Sequence, residues 1–147
     1  MTLPLNTERR SKLSQRLKRS GLRPTQQRLA LAELLFTGSD RHVSAEELHQ
    51  EALSRGVKVS LATVYNTLNR LHSVGLLREV VVDSARSYYD TNLTTHAHVY
   101  HEQTGELIDA PLCLRPELIS GLAPEGTELV NFEVIVRVRS RSSQAEG

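Results

Sequence analysis

The feature that most constrains this chain is a change of period at Gly75. Before it, Leu61, Val64, Leu68 and Leu71 recur at i, i+3, i+7 and i+10, the apolar stripe of an amphipathic helix that Ser60 can cap. After it, residues 76–82 are strand-like, ending in the β-branched run Val80–Val82, Asp83-Ser84-Ala85 is turn chemistry, and residues 86–90 supply a return strand. A helix fed directly into a hairpin is the end of a winged helix-turn-helix. The chain upstream supplies the rest. Ser44-Ala45-Glu46-Glu47 is a capping box that opens a preceding helix with Ala45, Leu48 and Ala52 on its buried stripe, closed by Gly56. Thr25 can cap a helix carrying Leu31, Leu34 and Leu35, stopped at residues 37–40. Residues 8–20, with Leu13 and Leu17 one turn apart, predict a short basic helix ending at Gly21.

The second half is less patterned. A hairpin is expected around Gln103-Thr104-Gly105, a short helix over residues 116–122, and a half-buried strand over residues 127–138, where Val130, Phe132, Val134, Val136 and Val138 alternate. The fold class is therefore α+β: a winged-helix domain over residues 1–91, a small αβ domain over 92–140 and a disordered tail over 141–147. Some fifty residues of strands and one helix hold too little core to stand alone, and a homodimer through this half is the expected remedy.

Charge separates the halves in the same way. Residues 1–90 hold 14 Lys+Arg against 9 Asp+Glu, and residues 91–147 hold 4 against 8. A basic half suits a phosphate backbone, although a solvated basic face has the same composition. The helix that Ser60 caps and Gly75 closes decides between them. Its polar side carries Ala62, Thr63, Tyr65, Asn66, Asn69 and Arg70. Small residues at its start admit the groove floor, Ala62 and Thr63 can meet a thymine methyl, Asn66 can pair with adenine, and Tyr65 and Arg70 can hold phosphate. Arg23 and Arg28 add sequence-independent phosphate contacts. The expected partner is a double-stranded DNA operator.

A lone cysteine, Cys113, excludes a disulfide framework and a four-thiolate zinc site, and reads as a small hydrophobe. No apolar run has the length of a membrane span and no apolar stretch follows the basic N-terminus, so a cytoplasmic location with no membrane partner is expected. His96-x-His98 would place both imidazoles on one side of a strand, facing one ion, although such a pair is often only a surface feature. His49 and His72 read as solvent-facing. A metal-dependent hydrolase is not supported, because no activated nucleophile or general base accompanies the histidines, and the chain is read as not an enzyme.

Residues 21–25 (Gly-Leu-Arg-Pro-Thr), 42–48 (His-Val-Ser-Ala-Glu-Glu-Leu) and 61–68 (Leu-Ala-Thr-Val-Tyr-Asn-Thr-Leu) resemble the ferric uptake regulator family, over roughly residues 10–138. The resemblance implies a winged-helix domain joined to an αβ dimerisation domain, with a metal site near the hinge. Matched position by position, it implies ligands at His42, read as a loop residue, and at Asp90, His96, His98 and Asp109. They would hold one divalent ion per protomer: Zn, Fe(II) or Mn(II), which this nitrogen and oxygen donor set does not distinguish. Thr95 and Ala97 stand where a second sensory site needs donors, and His101 and Thr104 stand where a structural zinc needs thiolates. His101 remains an auxiliary candidate. Residues 64–69, 82–83, 88–92 and 106–111 are similar to the iron response regulator branch, which implies haem-linked control of iron homeostasis genes. That branch carries three consecutive histidines where this chain has His96-Ala97-His98, and Leu114 rather than proline follows Cys113, so a haem expectation rests on the remaining histidines.

Overall fold

A computed structural model of the chain describes residues 4–110 and 115–142. The chain divides into two compact units, Met1–Leu93 and Thr94–Gly147.

The first unit runs α1 (Pro4–Arg19), α2 (Gln26–Phe36), β1 (His42–Val43), α3 (Ala45–Ser54), α4 (Leu61–Ser73), β2 (Arg78–Asp83) and β3 (Arg86–Asp90). Each of the last three helices begins on a hydroxyl that accepts a backbone N–H three residues on: Thr25 from Arg28, Ser44 from Glu47 and Ser60 from Thr63. At Ser44 the box is reciprocal, since its own N–H donates to the Glu47 carboxylate at 3.0 Å. Ser44→Ala should therefore cost about 1 kcal/mol, read as a lower urea midpoint at unchanged slope.

Two helix ends show why glycine punctuates the sequence. At Gly75, with φ at +79°, the N–H of Leu76 reaches the Leu71 carbonyl and that of Gly75 reaches the His72 carbonyl. Gly56 repeats this pattern with Val57 on Ala52 and Gly56 on Leu53. Both are left-handed C-terminal caps, which L side chains adopt only with strain. The turn at Gly75 aims the chain into the β2–β3 hairpin.

β1, β3 and β2 form an antiparallel sheet in that order. The helices and this sheet share one core, in which Leu31, Leu35, Leu48, Val64, Leu68 and Leu71 are completely buried beside Leu17, Leu77 and Tyr89. This is a winged helix-turn-helix with α4 as its second helix and β2–β3 as the wing. One expectation is corrected. His42 is not in a loop: it starts β1, a strand too short for periodicity to reveal, and pairs in register with Asp90.

The second unit contains β4 (Ala97–His101), β5 (Leu107–Asp109), α5 (Pro116–Ser120) and β6 (Val134–Val138). β4 and β5 form the expected hairpin. β6 lies on the other edge of β4 and runs parallel to it, so the chain crosses back between β5 and β6. The strand expected over residues 127–138 is ordered as strand only from Val134, and Val130 is 89% exposed. Alternation sets which residues could share a face; the available edge of β4 sets how many pair. Among the described residues the buried apolar ones here are Ala97, Tyr100 and Leu107, while Ile108, Leu118, Leu122, Leu129, Val130 and Val136 are exposed. Cys113 and residues 143–147 of the expected tail lie outside the described residues.

Candidate nucleic-acid interface and metal centre

On α4 the two faces separate cleanly. Val64, Thr67, Leu68 and Leu71 are buried, and Ala62, Tyr65, Asn66, Asn69 and Arg70 are exposed, with Thr63 half-buried. Two tethers cross from this helix to its neighbours. The Tyr65 hydroxyl donates to the Glu46 carboxylate of α3 at 2.5 Å, and that bond raises the Tyr65 pKa above the ordinary phenol value. The Tyr89 hydroxyl of β3 donates to Asn69 Oδ1 at 2.6 Å, and burial pushes the Tyr89 phenol up to about 12. Tyr89 is thus a donor throughout the physiological pH range. Glu46 and Tyr89 escaped the sequence reading. The available signal was only that a buried tyrosine hydroxyl needs a partner.

The basic residues fall into two sets. Arg23 is exposed, whereas Arg28 is half-buried and donates to the Arg23 carbonyl at 2.6 Å, bracing the turn before α2. In α1, Arg10 pairs with Glu33 at 3.3 Å and Arg16 lies over the Phe36 ring at 4.6 Å, so part of the basic N-terminus ties α1 to α2. His49, expected to face solvent, is half-buried and its Nε2 lies 2.9 Å from the Val59 carbonyl. It holds the link from α3 to α4.

In the first unit, His42 and Asp90 face each other across the β1–β3 ladder. Asp90 is 1% exposed and accepts the Asn92 N–H at 2.9 Å. The approach to His42 is fixed by Arg41. Its guanidinium grips Glu51 at 3.1 and 2.8 Å and its N–H donates to Thr91 at 2.9 Å. The hydrogen bond from Arg41 is the main reason that the Glu51 carboxyl sits below its ordinary range. A carboxyl depressed in the folded state stabilises above its unfolded pKa, and that contribution fades as pH falls through the folded value. Glu51→Gln should thus cost about 1 kcal/mol at neutral pH and progressively less in acid. Urea titrations of both proteins at several pH values check this, and a cost independent of pH would refute it.

In the second unit, His96, His98 and Asp109 converge, each offering a donor atom within 4.8 Å of the others. His98 and Asp109 are register partners of the β4–β5 ladder. His96 immediately precedes β4 rather than lying within it, yet its ring reaches the same side, with centroids 4.3 Å apart. Its Nδ1 is 2.6 Å from the Thr94 carbonyl oxygen. A carbonyl only accepts, so Nδ1 is the donor to Thr94 and Nε2 is the nitrogen left to ligate. That Nε2 faces Asp109 Oδ1 at 3.2 Å, and His98 Nε2 faces the same oxygen at 3.5 Å. Imidazole nitrogens and a carboxylate oxygen are all ligand atoms that a divalent ion accepts. The donor chemistry therefore fits a divalent ion, with His98 buried and Asp109 open to solvent. At the positions where the resemblance expects thiolates, hydrogen bonds close the turn instead: His101 reaches Ser140 at 3.1 Å and accepts the Thr104 N–H at 3.3 Å.

A winged helix followed by a second unit that bears a His/Asp cluster defines a class, the winged-helix proteins with an appended αβ unit. The ferric uptake regulator family profile matches residues 19–136, and the chain belongs to that family. It is 32% identical over 93 residues to the peroxide-responsive repressor PerR of Staphylococcus aureus, covering 63% of this chain and 62% of that protein. The chain thus spans less than two thirds of the curated relatives it matches. Among solved structures, the ferric uptake regulator of Vibrio cholerae superposes with a TM-score of 0.72 at 28% identity, covering 86% of this chain and 98% of that one. That of Pseudomonas aeruginosa, solved with manganese, gives 0.68 at 27% identity, covering 88% and 98%.

Proposed function

We propose that this protein is a metal-responsive, DNA-binding transcription regulator that acts as a homodimer on a double-stranded operator in the cytoplasm. The reading assigns DNA recognition to residues 1–91, and dimerisation and metal sensing to residues 92–140. The observation that carries it is the α4 face: an exposed Ala62, Tyr65, Asn66 and Arg70 set, with Thr63 at its edge, on a helix whose opposite side is fully buried and whose ends are capped. Arg23 supplies the exposed basic flank, and Arg28, half-buried against the Arg23 carbonyl, adds its charge behind it. Tyr65→Ala and Asn66→Ala should each weaken specific binding by about 1–3 kcal/mol without loss of fold, and Arg23→Ala should weaken all sequences alike and flatten the salt slope. Unchanged affinity in folded Tyr65 and Asn66 variants would refute the assignment.

The regulator binds one divalent ion per protomer through His42, Asp90, His96, His98 and Asp109. When bound, the ion would be held by these imidazoles and carboxylates and would couple metal occupancy to DNA affinity. Support comes from the pairing of His42 with Asp90 in one unit and the convergence of the other three donors in the second. Zn should outcompete Fe(II) and Mn(II) in vitro whichever the cell supplies. The proposed signal is iron, as the resemblance of residues 64–69, 82–83, 88–92 and 106–111 to the iron response branch implies, and the regulated genes are those of iron homeostasis. Manganese, zinc or peroxide sensing is the second reading, favoured by the peroxide-responsive relatives and by the zinc-bound manganese uptake regulator, similar at 26% identity. Haem through His96 or His98 is a further option within the iron reading. Among the described residues of the second unit, the exposed apolar Ile108, Leu118, Leu122, Leu129, Val130 and Val136 are what a partner copy would cover. A monomeric mass at micromolar concentration in analytical ultracentrifugation would contradict the dimer. The chain is read as a regulator rather than a catalyst. Among the described residues no helix is long and apolar enough to cross a membrane.

A further inference from the structure

Asn69 lies on the exposed face of α4, one turn beyond Tyr65 and next to Arg70. Its carbonyl oxygen accepts the Tyr89 hydroxyl at 2.6 Å. Tyr89 is 3% exposed and belongs to the same core as Leu68 and Leu71. A ring fixed in the core therefore carries a hydroxyl to the edge of the DNA-reading face. Because a phenol donor takes the carbonyl side of an amide, the amino group of Asn69 is the side left to face outward.

We propose that Asn69 is a further DNA-contacting residue, held with its amino group outward by Tyr89 as its positioning residue, and that it recognises acceptor atoms on DNA. The inference rests on the regulator reading above. An unconstrained asparagine makes a two-point contact with adenine, using its oxygen and its amino group together. Asn69 has its oxygen held by the core-anchored Tyr89 hydroxyl, so its amino group is the part turned toward DNA and its contact is made as a donor. Its targets are a phosphate oxygen or an acceptor on a base edge, such as guanine O6 or thymine O4. Next to Arg70, it extends the reading face into the C-terminal half of α4.

The test uses the full-length protein, a duplex that the wild type selects from a randomised pool, and a random-sequence duplex, with affinities read by fluorescence anisotropy. Asn69→Ala should weaken binding to the selected duplex about tenfold, the effect of one lost directional contact. Tyr89→Phe should weaken it several-fold in the wild-type background and not at all in the Asn69→Ala background, because the hydroxyl acts only through Asn69. Asn69→Asp keeps an acceptor for Tyr89 but removes the outward donor and turns a negative charge toward DNA. It should bind more weakly than Asn69→Ala, and it tests the proposal even if Tyr89→Phe fails to fold. Equal losses on both duplexes assign the contact to phosphate, and a loss confined to the selected duplex assigns it to a base; either supports the donor role. Wild-type affinity in Asn69→Ala would overturn the proposal, as would Tyr89→Phe weakening the Asn69→Ala protein as much as it weakens the wild type. If the wild type itself selects no sequence and binds no duplex, the regulator reading falls, an outcome distinct from failure at Asn69 alone.

Discussion

Replacing both His96 and His98 with alanine should remove the bound ion and with it the largest ligand-dependent share of stability. In the second unit these rings are the only imidazoles converging on Asp109 among the described residues. A carboxylate without them is a poor site for a borderline ion such as Zn. A metal that binds only the folded chain stabilises by mass action, about 4 kcal/mol when its concentration is a thousand times the dissociation constant. The wild type should therefore show a midpoint that rises with added Zn, and the double variant should not. Elemental analysis should find about one equivalent per protomer in the wild type and essentially none in the variant. Acidification should weaken metal binding in the wild type, since a protonated imidazole cannot ligate. A full equivalent of metal retained by the variant would show that the ligands lie elsewhere.

The second large effect lies in the core. Leu68 is completely buried on the inner face of α4, in the cluster formed by the helices and the wing. Truncating it to alanine removes buried apolar surface and leaves a cavity that rigid neighbours fill poorly, so Leu68→Ala should cost about 2–5 kcal/mol. For a domain of this size that is a substantial share of the total stability. Urea denaturation measures it. A cost below about 1 kcal/mol would mean that α4 is not anchored by this stripe.

What was legible in the sequence was local. Hydroxyls at Thr25, Ser44 and Ser60 and glycines at Gly56 and Gly75 mark helix ends through bonds spanning only a few residues, so the helices could be placed without the fold. The β2–β3 and β4–β5 hairpins are legible for the same reason. Long-range pairing is not. β1 exists because β3 offers an edge to His42 and Val43, and β6 is ordered only where it runs beside β4. His96 shares a side with His98 although it precedes the strand, a placement set by the Thr94 carbonyl that strand periodicity does not describe. The DNA-reading residues were visible as a polar face. Their tethers, Tyr65 to Glu46 and Tyr89 to Asn69, join residues about twenty positions apart and follow from tertiary packing. Arg28 showed only its charge in the sequence. Its burial against the Arg23 carbonyl became visible with the turn that holds it.

The central claim is that metal occupancy and DNA affinity are coupled. The most direct measurement is the affinity of the full-length protein for a selected duplex, in saturating Zn or Mn(II) and again after chelation, for the wild type and the His96→Ala, His98→Ala variant. Allosteric couplings typically amount to about 1–3 kcal/mol, or about 5- to 150-fold in affinity. The wild type should show a difference in that range between the two conditions, and the variant should bind equally in both. Equal wild-type affinity with and without metal would contradict the account.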